Sequence, residues 1–385
     1  MEKVRLGIIG VGNMGSSHIK NYMKNEMPEF IITAVCDIKE DRLAWAKEQL
    51  PEVKTFTDAS ALMDSGEVDA ILIATPHYFH PPMVIEGLNK GLHVMSEKPA
   101  GVYTKQVREM NEVAKKSDKV FGIMFNQRTN CLYRKAHEIV HSGKYGELKR
   151  VTWIITDWYR TQSYYNSGGW RATWSGEGGG VLLNQCPHQL DLWQWICGMP
   201  EKITAVCHEG KWHDIEVEDD VMIYAQYKNG ATGTFITTTG DFPGTNRLEI
   251  TLDKAKIICE NSVLTITELS QAVSENIKHC EDGFTSIESK TYEAELDGRN
   301  EQHTEVMNKF AAAILRGEEL TASGEEGING LTISNAAFLS SWLGKTVTLP
   351  IDEDLFYSML QDKINNSTYQ KTVNEKINED MTSTY

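Results

Sequence analysis

The chain has little cysteine, and no pairing pattern in what it has. Seven cysteines lie at positions 36, 131, 186, 197, 207, 259 and 280 of 385 residues, an odd number with no C-x-x-C pair. That scatter argues against a disulfide framework and a cysteine zinc site, and suits reduced thiols in a cytoplasm. No apolar run approaches the ~20 residues needed to span a bilayer. A strand begins within a few residues of the start, which leaves no room for a signal peptide, so a cytoplasmic location is expected. Positive charge is in deficit, with 38 Lys and Arg against 54 Asp and Glu and a net charge of −16. So acidic a surface argues against nucleic acid or an anionic membrane as the main partner. Metal-ligand spacing is missing too, so no metal is expected. There is no internal repeat and no low-complexity linker.

What remains is a soluble, globular composition, 41% hydrophobic and 24% charged, too long for one ordinary core. The most informative stretch is Val4 to Gly15, a strand running into Gly10-Val11-Gly12-Asn13-Met14-Gly15. In G-x-G-x-x-G, the first glycine permits a tight turn, the second lets backbone approach a pyrophosphate, and the third lets helix pack on strand. The helix N-terminus, at Asn13 and Met14, then favours phosphate. A second strand, Phe30 to Cys36, ends on Asp37, about where an acid takes the adenosine ribose. Its carboxylate would repel the extra phosphate of NADP, so NAD is the expected cofactor. Arg42 lies near enough in sequence to leave dual use open. The plainer reading is a glycine-rich turn of some other α/β protein.

Strands are expected near 4–10, 30–36, 69–74, 92–96 and 119–125, with helices around 13–26, 39–50, 81–90 and 104–117. Thr104 is the expected N-cap of the last. Such alternation implies an α/β domain with a parallel sheet covered on both faces. A helix over 131–142 follows, and from 148 the texture turns β-rich. Residues 151–155, 222–227, 232–239, 248–252, 256–259 and 263–267 read as strands, with Asn229-Gly230 as a hairpin signal. Helices are expected near 181–197, 303–316 and 327–343. The expected organisation is a dinucleotide-binding domain over 1–125, an α+β domain with an open, mostly antiparallel sheet over 126–365, and a loosely held polar tail over 366–385.

Three segments carry chemistry. Thr75-Pro76-His77-Tyr78-Phe79-His80 follows the strand over 69–74, where ligands of open α/β sheets bind. Glu97-Lys98-Pro99 follows the strand over 92–96. A lysine there could polarise a substrate oxygen, or be a solvated lysine paired with Glu97. The third segment runs from Gly178-Gly179-Gly180 to Asp191. On a helix, Asn184, His188 and Asp191 would share one face at i, i+4 and i+7, and the glycines would bring the helix hard against a bound cofactor. Pro187 either kinks that helix or begins its regular part. The bland alternative is a structural histidine. Between these lies a stretch dense in aromatics and polar tips, including Tyr159, Trp170, Arg171 and Trp174. It reads as a substrate wall, with a packed loop or subunit interface as the competing reading.

With Gly10-x-Gly12-x-x-Gly15 and His18, Thr75-Pro76 and His80, Glu97-Lys98-Pro99, and the Gly178 to Asp191 segment in this order, the chain resembles the Gfo/Idh/MocA oxidoreductases, the family of glucose-fructose oxidoreductase and inositol 2-dehydrogenase. The resemblance spans nearly the whole length. It implies a Rossmann domain, a nicotinamide lying over the second domain's sheet, a sugar or cyclitol substrate, and an open sheet face that often forms the oligomer interface. Lys98 matches the family's active-site lysine and His188 its histidine, commonly the acid/base. The family usually has aspartate where this chain has Asn184, which can orient His188 or bind substrate but brings no charge. The expected catalytic set is therefore Lys98, His188 and Asn184. The expected cofactor contacts are Gly10, Gly12, Asn13, Met14, Gly15, Asp37, Thr75, Pro76, His77, His80, Glu97 and Asn126. The expected substrate contacts are Arg128, Tyr159, Trp170, Arg171, Trp174 and Asp191. The expected activity is NAD-dependent oxidation of a ring hydroxyl of a sugar, glycoside or inositol. A glycoside 3-dehydrogenase, a keto-sugar reductase and a non-catalytic sugar sensor are its alternatives, and a homodimer or homotetramer is its expected assembly.

Overall fold

The computed structural model describes residues 3–374. The first sheet contains β1 (Val4–Ile9), β2 (Phe30–Cys36), β3 (Lys54–Phe56), β4 (Ala70–Ile73), β5 (His93–Ser96) and β6 (Phe121–Ile123). Their order is β3-β2-β1-β4-β5-β6, and every pairing is parallel. The order reverses between β1 and β4, which opens a crevice beyond the strands' carboxyl ends. The strands are near-continuous apolar runs because α1 (Asn13–Met23), α2 (Glu40–Gln49), α3 (Ala59–Asp64), α4 (His80–Asn89) and α5 (Thr104–Ala114) connect them and cover their faces. β3 and α3 were not expected from sequence, since three half-exposed residues carry no periodicity. Thr104 is not the cap of α5. Tyr103 holds that place, and the Thr104 N–H donates to the Asn335 side chain at 3.0 Å.

The second sheet is built from β7 (Leu148–Ile155), β8 (Lys202–Glu209), β9 (Glu218–Gln226), β10 (Thr232–Thr238), β11 (Asn246–Leu252), β12 (Ala255–Glu260), β13 (Val263–Leu269), β14 (Ser289–Glu293) and β15 (Val347–Thr348). Its order is β14-β13-β12-β11-β7-β10-β9-β8-β15; β7 and β10 pair parallel and the other neighbours antiparallel. The remaining helices are α6 (Cys131–His141), α7 (Gln162–Asn166), α8 (Pro187–Cys197), α9 (Val273–His279), α10 (Gln302–Arg316), α11 (Gly327–Leu343) and α12 (Glu353–Asn365). One sheet face is packed: Trp193 of α8 stacks on Phe235 of β10, and Tyr133 of α6 lies on Trp153 of β7. On the other face Val206 of β8 and Met222 and Tyr224 of β9 are exposed, the latter two on the outward side of the alternation over Val221–Gln226.

Two expectations about the second half change. Helix α10 does not stay with the second sheet. Its stripe Val306, Met307, Phe310 and Ala311 is buried with Val4, Leu6 and Phe30 of the first, with the Phe30 and Phe310 rings 6.3 Å apart. Burying such a phenylalanine is worth roughly 1.5–3 kcal/mol, enough to recruit a distant segment to an otherwise bare sheet face. The tail is also not loose where it is described: residues 367–374 are bonded onto the 166–171 loop and Asp214–Glu216. Residues 375–385 lie outside the described residues.

Candidate active site

The glycine turn after β1 is fixed by what surrounds it. Gly10 has φ +92°, and a Cβ there would lie 2.5 Å from the Ala74 carbonyl oxygen; one on Gly15 would lie 1.9 Å from that of Gly10. A Cβ on Gly12 would meet nothing within 4 Å. Helix α1 starts there with no side-chain cap. Turn, open approach and helix N-terminus together fit a dinucleotide pyrophosphate. Asp37, at the end of β2, accepts from the backbone N–H of Val11 at 2.7 Å and of Lys39 at 2.9 Å, and remains partly exposed. Arg42 turns the other way. It is buried, donating to the Val11 carbonyl at 2.8 Å and the Ser16 hydroxyl at 2.7 Å, so its guanidinium braces the turn.

Thr75 and Pro76 stay half-exposed at the end of β4. Several other expected cofactor contacts turn inward. Both His80 nitrogens lie 2.7 Å from backbone carbonyls, those of Pro99 and Thr75, stapling the two loops. His77 is buried, with Nδ1 3.0 Å from the Glu177 carbonyl, tying the first sheet's loop to the second domain. Glu97 is buried against His18 at 2.9 Å, and its other oxygen accepts from the Lys98 N–H at 3.3 Å. Asn126 is fully buried and bonded to Gln302. His77, His80 and Glu97 serve as scaffold, because a polar group without water must find a protein partner and each has one; Asn126 is bonded through its amide nitrogen, while its Oδ1 is buried without a partner among the described residues.

Lys98 and His188 lie within electrostatic reach of one another. The Lys98 Nζ donates to the Asn184 carbonyl at 2.9 Å, and its charge acts on the His188 ring, which is buried with its edge toward Phe125. Among the described residues neither His188 nitrogen has a hydrogen-bond partner. Burial, then Lys98 and His303, hold the imidazole pKa well below its usual 6.5, so the ring is neutral at physiological pH. Burial also lowers the Lys98 pKa, with Glu97 opposing. A neutral imidazole with open nitrogens, within electrostatic reach of a half-buried cation, can accept a proton from an oxygen that the cation stabilises.

The helix expected over 181–197 begins only at Pro187, in its first turn, so Asn184 is not on the face that His188 and Asp191 share. Asn184 lies in the preceding turn, where its N–H donates to the Gly180 carbonyl at 2.9 Å. Its side chain does not orient His188. The amide nitrogen donates to Glu177, and the oxygen accepts from the Tyr164 hydroxyl at 3.2 Å. Nor do the glycines press on a ligand. A Cβ on Gly180 would lie 1.9 Å from the Glu218 carbonyl oxygen, and one on Gly178 2.2 Å from a Val102 methyl. The tight approach is to the protein's own backbone and core.

The expected substrate set divides. Arg171 and Trp170 belong to the cluster: the Arg171 guanidinium lies over Tyr164 and Trp170, and donates to the Tyr164 hydroxyl at 2.7 Å. Trp170 also meets the His77 ring at 5.1 Å. Trp174 does not line a wall. It is 2% exposed and packs edge-on to Phe338 and Trp342, because its apolar surface completes the contact with α11. Tyr159 is exposed beside Phe242. Arg128 and Asp191 form a buried bidentate pair at 2.8 and 2.7 Å, each meeting the other's charge instead of a ligand's.

Sequence reasoning missed Glu177 and the roles of Tyr164 and Gln185. Glu177 is buried, which pushes its carboxyl pKa up; Arg171 at 4.0 Å, the Ala172 N–H, Asn184 and Lys371 pull it back. The Tyr164 hydroxyl joins Arg171, Gln185 and Asn184. An acid directly before three glycines was the available signal for Glu177. Among the described residues there is no cluster of three or more His, Cys, Asp or Glu side chains able to hold a metal, and no helix long and apolar enough to cross a membrane.

Comparison with known proteins identifies the family. Residues 4–125 match the model of an oxidoreductase family with an NAD-binding Rossmann fold, and residues 133–258 match the GFO/IDH/MocA C-terminal domain. A myo-inositol 2-dehydrogenase of Thermotoga maritima is 26% identical, covering 87% of this chain and 95% of its own. A D-glucoside 3-dehydrogenase of Escherichia coli is 26% identical over 59% of this chain and 68% of that protein. The WlbA dehydrogenase of Chromobacterium violaceum, solved with NADH and UDP-GlcNAcA, superposes with a TM-score of 0.78 at 25% identity, covering 91% of this chain and 97% of that one. The chain is an NAD-dependent oxidoreductase that belongs to the Gfo/Idh/MocA family.

Proposed function

We propose that the protein oxidises a secondary ring hydroxyl of a sugar, glycoside or inositol. The observation that carries this reading is the neutral, unpartnered imidazole of His188 within electrostatic reach of the half-buried ammonium of Lys98. NAD⁺ supplies the hydride acceptor when bound. Gly10, Gly12, Gly15, the start of α1, Thr75 and Pro76 would hold its phosphates and nicotinamide side, and Asp37 its adenosine ribose. A nitrogen of His188 takes the hydroxyl proton, and Lys98 stabilises the negative charge developing on the same oxygen, which ends as a ketone. Trp170 offers a face for sugar C–H groups, while Arg171, Tyr164 and Gln185 offer donors to hydroxyls. The relatives named for inositol and glucoside oxidation support this substrate class.

The cofactor domain in this reading is residues 1–125 with α10 added, and the substrate domain is the rest to residue 374. The apolar stripe of Val206, Met222 and Tyr224 on the bare sheet face supports a homodimer or homotetramer. Seven free cysteines support a reducing, cytoplasmic setting. The test is NADH absorbance over a panel of inositols, aldoses and glycosides, with NADH binding measured in parallel. Turnover of one class is expected. Ligand binding with no turnover of any member would replace the enzyme reading with a sensor.

A further inference from the structure

We propose that residues 367–374 are a working part of the substrate site, with Lys371 as the positioning residue that holds the Trp170–Arg171 wall in register. After α12 the chain doubles back over the 162–178 segment and is stitched to it and to the 214–216 turn. Ser367 contacts the Glu216 carboxylate, the Tyr369 hydroxyl donates to the Asp214 carbonyl at 2.6 Å, and the Asn374 N–H donates to the Asn166 carbonyl at 2.8 Å. The central stitch is a pair of charge-assisted hydrogen bonds. The Lys371 Nζ donates to the carbonyls of Gly168 at 2.7 Å and of Arg171 at 2.6 Å. The loop it grips contains Gly168 at φ +87° and Ala172 at φ +63°, the latter an unusual conformation for a residue with a side chain. Such a conformation persists only where surroundings over-determine it.

The clamp is joined to the site by charge as well as by backbone. Lys371 and Arg171 both act on the buried Glu177 carboxylate, which receives the Asn184 amide, and Asn184 in turn offers its carbonyl to Lys98. Removing the ammonium strips two carbonyls of a charged donor and leaves Glu177 with Arg171 as its nearby cation. Arg171 and Trp170 then lose their fixed presentation, whereas Lys98 keeps its bond to the Asn184 carbonyl and His188 its packing against Phe125. Substrate affinity should suffer more than the chemical step.

This inference rests on Tyr164, Trp170 and Arg171 forming the substrate wall, so the experiment separates the two. Full-length Lys371→Met, Lys371→Arg and Arg171→Met are compared with the parent by steady-state kinetics on the best panel substrate, by NADH titration, and by hydrogen exchange of the 166–172 amides. Losing one charge-assisted bond corresponds to about tenfold or more in affinity, so Lys371→Met should raise KM by that factor. Its kcat and NADH affinity should stay near the parent's, the 166–172 amides should exchange faster, and Lys371→Arg should restore most of KM. An unchanged KM in Lys371→Met while Arg171→Met raises it overturns the strap alone. An unchanged KM in both overturns the wall. Equal losses of kcat, NADH affinity and thermal stability in Lys371→Met, with no rescue by arginine, reduce Lys371 to a structural contact and also overturn the proposal. If Lys371→Met fails to fold, Tyr369→Phe removes the neighbouring stitch and carries the same expectation for exchange and KM.

Discussion

Arg128 and Asp191 separate two accounts of the same residues: substrate contacts, or a buried ion pair beneath the site. Arg128 is 3% exposed and Asp191 is fully buried. Replacing Arg128 with Met removes both bonds to Asp191 and the 2.7 Å bond to Glu326. The Gln194 amide, 3.0 Å away, then remains as a neutral donor to the Asp191 carboxylate. A buried carboxylate stripped of its cation costs about 3–5 kcal/mol. In a domain of this size each kcal/mol moves Tm by about 2–4 °C, so the fall should be on the order of 10 °C. Asp191→Asn is milder. Asparagine still offers Arg128 an acceptor, and the guanidinium keeps Glu326, so the cost is about 1–3 kcal/mol. The double variant Arg128→Met with Asp191→Leu should recover much of the Tm lost by Arg128→Met, because apolar replacement of a whole buried pair is often near neutral. The assay is thermal unfolding of the three variants, with KM for the substrate measured alongside. A Tm within about 2 °C of the parent in Arg128→Met, less than a single kcal/mol would move it, combined with a large rise in KM, would refute the structural reading and return these residues to the ligand.

Lys98→Met and His188→Gln should each lower kcat by about a hundredfold or more while NADH affinity, read by fluorescence titration, stays close to normal. Near-parental turnover in either would remove that residue from the chemistry. The pH profile of kcat/KM has a fixed sign. His188 has a depressed pKa, so the acid limb, where the base becomes protonated, should fall well below 6.5. Lys98 is also depressed, so activity should decline on the alkaline side below 10.5 as its ammonium is lost. An acid limb at or above 6.5 would contradict the buried, cation-flanked environment of His188. Asp37→Ala should weaken NAD and relax discrimination against NADP in parallel cofactor titrations; an unchanged ratio would show that Asp37 serves only the glycine turn. Gly180→Ala would force a Cβ to within 1.9 Å of the Glu218 carbonyl oxygen, so a marked loss of Tm is expected, and a parental Tm would mean that the turn can shift at little cost.

The glycine turn and the strand–helix alternation were legible in sequence, and Lys98 stood out as a candidate, because each depends on a few neighbouring residues. Gly10, Gly12 and Gly15 do their work within one turn, and Asp37 follows at the end of the next strand. The alternation along β9 and the Asn229-Gly230 hairpin are equally local. His188 is found by its place after the glycines, but its partners are not, because the periodicity of 181–197 suggests one helix where Pro187 starts it late. Polar residues near a site look alike in sequence. Whether Arg128, Asp191, His77, His80, Glu97 and Asn126 face a ligand or the interior depends on which distant groups arrive beside them.

By itself the sequence determined the order of elements, the dinucleotide turn and the residue types available for proton transfer, since hydrophobic period and backbone freedom are short-range properties. Only tertiary structure decided that α10 returns to the first sheet, that Glu177 meets Asn184, and that Lys371, 200 residues from Arg171, grips its backbone. Those choices are made by burial and charge compensation between segments far apart in the chain, and no local pattern encodes which buried polar group will find which partner.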